Sequence, residues 1–123
     1  MQQARLAFTT TKFEESLRFY AEGLGGQIVA EWDAPARGAV IRLAGAACIE
    51  LFEAQSAHSV EPPNVMFAIE VEDVDEWHDR AQRAGANLVR APTDQPWGLR
   101  DTAFTDPNGL RIALFQALSA HPE

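Results

Sequence analysis

Apolar positions follow two rhythms along this chain, and the switch between them occurs twice in the same order. Residues 4–10 (ARLAFTT) alternate as a strand does. Phe13, Leu17, Tyr20 and Leu24 then fall at i, i+4, i+7 and i+11, one face of a helix over about 12–24. Thr11 with Glu14 three residues on has capping-box spacing, and Gly25-Gly26 supplies a stop. Three more strands are predicted near 27–33, 38–43 and 46–54, parted by the turn signals Asp33-Ala34-Pro35 and Ala44-Gly45.

The second half repeats this order. A strand covers about 65–72, and Asp73 with Glu76 again has capping-box spacing. Val74, Trp77, Ala81 and Ala84 form a helical stripe that Gly85 ends. Strands follow near 87–91, 100–105 and 110–117, with Asp106-Pro107-Asn108-Gly109 as the last turn. Ile49-Glu50-Leu51-Phe52-Glu53 and Ile112-Ala113-Leu114-Phe115-Gln116 share three of five residues. The unit is therefore duplicated at a spacing of roughly 60 residues. The expected fold class is α+β: one domain, 1–123, of two βαβββ modules at 1–54 and 65–118, joined by the polar, Pro-containing stretch 54–64.

Alternation also sorts each strand into two faces. Leu6 and Phe8, Ile49 and Leu51, Phe67, Ile69 and Val71, and Ile112 and Leu114 form a purely apolar set suited to lie under the helices. The opposite set mixes small, aromatic and charged groups: Arg5, Cys48, Glu50, Phe52, Met66, Glu70, Arg111 and Phe115 among them. A mixed face is either solvated or a ligand surface. Solvation would leave Phe52, Phe115 and Met66 in water.

Composition narrows the function classes. Apolar residues at 46% and charged residues at 23% are ordinary for a globular domain and exclude a disordered or low-complexity chain. No apolar run reaches the roughly 18 residues that span a bilayer, and no signal peptide is evident at the N-terminus, so a cytoplasmic location and no membrane partner are expected. Ten basic against eighteen acidic residues give a net charge of −8, with no basic patch for nucleic acid. The acidic balance serves solubility or attracts cationic ligands. The single cysteine, Cys48, excludes an intrachain disulfide and reads as a small filler. His58, His78 and His121 show no metal-ligand spacing and read as structural or exposed.

The duplicated order, Ser16-Leu17-Arg18-Phe19-Tyr20 with Leu24-Gly25, the strand Ile49-Glu50-Leu51-Phe52, and Phe104-Thr105-Asp106-Pro107-Asn108-Gly109 together resemble the vicinal oxygen chelate superfamily. That group contains glyoxalase I, extradiol dioxygenases, methylmalonyl-CoA epimerase and the bleomycin-resistance proteins. Pro96-Trp97-Gly98 is most similar to the bleomycin-resistance type. The resemblance implies curled mixed sheets around a cavity, often completed in a homodimer. It also implies four metal-ligand positions on the first, fourth, fifth and eighth strands, which fall here on Arg5, Glu50, Met66 and Ala113. Only Glu50 is a competent ligand: a guanidinium repels a metal, a thioether suits hard ions poorly, and alanine has no donor.

The expectation is therefore no metal, no cofactor and no catalytic residue. The chain reads as a metal-free binding protein that sequesters an aromatic or cationic small molecule such as an antibiotic. The alternative is a lyase, isomerase or dioxygenase of the same superfamily acting on a molecule with vicinal oxygens. Candidate ligand-binding residues are Arg5, Trp32, Glu50, Phe52, Met66, Trp97 and Phe115. Glu50 is either an ion-pair partner of Arg5 or a free carboxylate for a ligand. Trp32 and Trp97 line either the pocket or a dimer interface.

Overall fold

In the computed structural model, which describes residues 2–55 and 64–118, the chain forms eight strands and two helices. The first module contains β1 (Ala4–Thr10), α1 (Phe13–Arg18), β2 (Gln27–Trp32), β3 (Gly38–Ala44) and β4 (Ala47–Glu53). The second contains β5 (Met66–Glu70), α2 (Val74–Arg83), β6 (Asn87–Gln95), β7 (Leu99–Thr105) and β8 (Arg111–Ala117). Each module makes one mixed four-stranded sheet, in the orders β1-β4-β3-β2 and β5-β8-β7-β6. In each, the first and last strands of the module pair parallel and the others antiparallel. His58 and His121 lie outside the described residues.

Both sheets turn their apolar faces toward one shared core. Ile49 and Leu51 from one sheet and Ile69, Ile112 and Leu114 from the other join Phe13, Tyr20, Leu24, Val74, Trp77 and Ala81 of the helical segments in a single cluster. The predicted helical stripes are thus the buried stripes. The opposite face of each sheet points away from this core.

Three local expectations are corrected. First, the helix expected over 12–24 is α-helical only to Arg18 and continues as a π-helical turn, Phe19–Gly23. Gly25 and Gly85, both at positive φ, end the two helical segments, and the first segment is one residue longer from its N-cap (Lys12) to that glycine than the second from Asp73. The π turn absorbs that extra residue, as such turns do. Second, the Thr11–Glu14 capping box does not form: Lys12 is the N-cap and makes no side-chain cap bond, while Thr10 Oγ1 accepts from the Lys12 amide at 2.8 Å. The Asp73 cap does form, accepting from the Glu76 amide at 3.2 Å. Third, β6 runs to Gln95 instead of stopping near residue 91. Pro92 is tolerated because β6 is an edge strand with a register shift between Arg90 and Thr93.

The modules are joined by a buried polar knot. Tyr20 Oη donates to Asp106 Oδ2 at 2.6 Å. Asp106 Oδ1 accepts from the amides of Asn108 (2.8 Å) and Leu110 (2.9 Å). The Asn108 amide group donates to Ser16 Oγ at 3.0 Å and to Asp106 Oδ2 at 3.1 Å, and its Oδ1 accepts from Thr10 Oγ1. Thr10, Ser16, Tyr20 and Asp106 are all buried. Burial first, and the Asp106 carboxylate second, push the Tyr20 phenol well above its ordinary value. Close by, Gly23 approaches Ala84 of the other module so closely that an added Cβ would lie 2.6 Å from the Ala84 methyl carbon. Arg80 Nη1 donates to the Leu24 carbonyl at 3.2 Å. The relative orientation of the modules is set at this joint.

Candidate ligand-binding faces

The outward face of the first sheet is built by strand alternation. Arg5, Ala7 and Thr9 of β1 pair with Cys48, Glu50 and Phe52 of β4, and Gly38 and Val40 of β3 pair with Phe52 and Glu50. Glu50 sits at the centre, with Arg5 Nη1 at 3.6 Å from Oε1. The structure therefore forms the Arg5–Glu50 ion pair, one of the two readings of Glu50. The Glu50 side chain is 18% exposed and Arg5 42%, so water screens the pair substantially. Cys48 is buried, its thiol 3.8 Å from the Ala46 carbonyl, in keeping with a filler.

Trp32 owes its place to a glycine. It pairs with Gly38, and a Cβ on Gly38 would come within 2.1 Å of the indole. The ring therefore lies across β3 where no side chain stands. Phe52 flanks it, centroid to centroid 6.0 Å at 59°. The two rings make an aromatic wall at one end of the face. Phe52 retains 36% of its exposure.

The outward face of the second sheet carries Met66, Ala68 and Glu70 of β5 beside Arg111, Ala113 and Phe115 of β8. Asp101 of β7 pairs with Phe115, and Arg90 grips its carboxylate through two bonds of 3.0 and 3.1 Å. Gln95 adds a third at 3.1 Å. Partial burial works to raise the Asp101 carboxyl, but the Arg90 and Gln95 bonds outweigh it and hold the group below the ordinary carboxylate value. Trp97 stands at the β6–β7 turn, 67% exposed, and Met66 is 54% exposed.

The seven sequence-predicted residues thus divide. Arg5, Trp32, Glu50 and Phe52 share the first face; Met66 and Phe115 share the second; Trp97 is on the hairpin beside the second. A cleft of about 800 Å³ lies away from both faces, between the first helical segment and the Asp106–Gly109 turn. The sequence reading missed Gly38 as the seat of Trp32 and the Arg90–Asp101–Gln95 group. A glycine inside an otherwise apolar strand was the available signal for the first; the bulge that brings Arg90 to Asp101 left none.

The metal positions implied by resemblance can now be tested on geometry. Arg5 holds the Glu50 carboxylate, and Met66 and Ala113 bring a thioether and a methyl group. This donor set does not fit a hard divalent ion, and no step is derived through one.

A sequence model of the Glyoxalase/Bleomycin resistance protein/Dioxygenase superfamily matches residues 2–114. The chain belongs to this superfamily. Solved structures share its fold. TioX from Micromonospora sp. ML1 is 20% identical, with a TM-score of 0.77 over 96% of this chain and 100% of that one. TnmS3, an antibiotic binding protein from Streptomyces sp. CB03234, is 22% identical, with a TM-score of 0.74 over 95% and 96%. A glyoxalase I mutant from Zea mays is 17% identical, with a TM-score of 0.80 over 96% of this chain and 46% of that one. No curated protein matches the sequence. The solved structures therefore bring a binding protein and a glyoxalase into comparison, at identities that speak for the fold alone.

The ion pair yields a double-mutant test. Glu50→Ala is expected to cost about 1 kcal/mol or less, since both partners reach water. Combined with Arg5→Met it should cost less than the sum of the two single changes. Urea midpoints of the three variants and the parent measure this, and strict additivity would mean the two charges do not interact.

Proposed function

We propose that this chain is a metal-free small-molecule-binding protein of the bleomycin-resistance type, which sequesters a planar aromatic compound without transforming it. The observation that carries the reading is the outer face of the first sheet. Trp32 lies on Gly38 beside Phe52, and the family's remaining carboxylate ligand is already held by Arg5. Flat rings at the end of a sheet face offer a stacking surface, while the donor set gives a Lewis acid no home. That TnmS3 is described as an antibiotic binding protein agrees with this reading.

The proposed partner is a second copy of the chain. Each outer face leaves apolar groups exposed, Phe52 on one and Met66 on the other, and among the described residues neither face is closed over. A first-sheet face against a second-sheet face would cover both and enclose a cavity, twice in a two-fold dimer. Sedimentation at twice the chain mass of 13.5 kDa is the expected result at micromolar concentration; a lone 13.5 kDa species would remove the shared cavity.

Two measurements test the function. Purified protein incubated with Ni, Zn, Fe or Mn and then desalted is expected to retain far less than one metal per chain; stoichiometric metal lost in Glu50→Ala would favour the enzyme. Tryptophan fluorescence titrated with planar aromatic compounds should be quenched saturably, and Phe52→Ala and Trp32→Ala should each weaken binding about tenfold.

A further inference from the structure

The acidity of the chain is not distributed over the faces that would hold a ligand. Of its ten basic residues, Arg5, Arg42, Arg90 and Arg111 lie on the two outer faces. Of its described acidic residues, Glu50, Asp101 and Glu70 do. Two of those three carboxylates are already bound, Glu50 by Arg5 and Asp101 by Arg90. The other described carboxylates lie on the helix side of the sheets, on the helical segments or in turns. Asp94, for instance, alternates with Thr93 and Gln95 and meets Arg100, which also holds Asp75 of α2. A chain of net charge −8 thus presents outer faces with a small excess of guanidinium.

One of those guanidinium groups has no partner among the described residues. Arg111 opens β8 and pairs with Met66 of β5 and Thr105 of β7, all three side chains on the outer face. It is exposed, and among the described residues it makes no hydrogen bond or ion pair. The Thr105 hydroxyl, on the adjacent strand at the same register, is likewise without a partner among the described residues. Met66 and Ala113 flank the spot with apolar surface. A planar, forked donor set beside a free hydroxyl and an apolar flank matches a carboxylate or phenolate attached to a ring.

We propose that the molecule taken up is an aromatic anion, recognised through Arg111, with Thr105 as the second donor. This rests on the binding-protein reading above and revises its charge: the aromatic part stands, the cationic option does not. In the proposed dimer the ring would use the Trp32–Phe52 wall of the second copy, set against this face, and the acidic group would select the ligand.

The test uses the whole chain and three naphthalene probes that differ in charge: naphthoate, naphthamide and naphthylmethylammonium, followed by tryptophan fluorescence at low ionic strength. Naphthoate is expected to bind about tenfold or more tightly than either of the others, with the margin shrinking as salt is added. Arg111→Met should bring naphthoate down to the affinity of naphthamide. Arg83→Met, on the exposed side of α2, should leave the order of the three unchanged. Equal or tighter binding of the ammonium, or an anion preference that survives Arg111→Met, overturns this inference while the binding-protein reading stands. If none of the three probes binds, both fall.

Discussion

Asp106→Ala is expected to destabilise the fold by about 3–5 kcal/mol, the largest loss from any single polar change in the chain. The carboxylate accepts four hydrogen bonds, from Tyr20 Oη, the amides of Asn108 and Leu110, and Asn108 Nδ2. Its removal leaves the buried Tyr20 hydroxyl and the Leu110 amide without partners in a site closed to water. Tyr20→Phe removes one donor and leaves Asp106 three, so it should cost only about 1–2 kcal/mol. Urea unfolding of both variants gives the comparison; equal costs would mean that the knot is not organised around Asp106.

The same knot predicts alkaline behaviour. The phenol's folded value is raised above its unfolded value near 10. Its contribution is therefore fully present below about pH 10 and is lost as pH rises above it, because only the unfolded chain can release that proton. Tyr20 is the one tyrosine in the sequence, so absorbance of phenolate reports it alone. Phenolate should form together with unfolding. Reversible titration near pH 10 in a folded chain would contradict the burial.

Gly38→Ala is the second large effect, and it separates stability from binding. The new Cβ would stand 2.1 Å from the Trp32 ring, inside any van der Waals limit, so the indole must leave its seat. Trp32 is only partly buried and can swing toward solvent, which holds the stability cost to about 1–3 kcal/mol. Binding of a planar ligand should fall about tenfold, as in Trp32→Ala, because the wall against Phe52 is dismantled. Tryptophan emission should shift to the red. A folded Gly38→Ala protein with parental affinity would remove Trp32 from the site.

Much of the architecture was legible in the sequence because periodicity is a local property. The stripe Phe13, Leu17, Tyr20 and Leu24 and the alternation of Ile49, Leu51, Ile112 and Leu114 are the residues of the shared core. Alternation also placed Arg5 and Glu50 on one face, where they pair, and Arg111 and Phe115 on the other, with no knowledge of which strands adjoin. The family motif around Asp106-Pro107-Asn108-Gly109 was recognised as a turn. Its role as the lock on Tyr20, Ser16 and Thr10 was not, since those partners are 86 to 98 residues away.

What only the tertiary structure decided follows from contacts between strands and between modules. The π turn answers a one-residue length difference between the two helical segments, which has no local signature in composition. Gly38 reads as a weak strand residue until Trp32 is seen lying on it. Arg90 meets Asp101 through a register shift at an edge strand. The charge of the ligand faces is a further case. A net charge of −8 is a property of the whole chain, but which faces bear it depends on how each strand's alternation is oriented toward the shared core. That orientation puts Asp94 on the helix side, where it meets Arg100, and leaves Arg111 facing out.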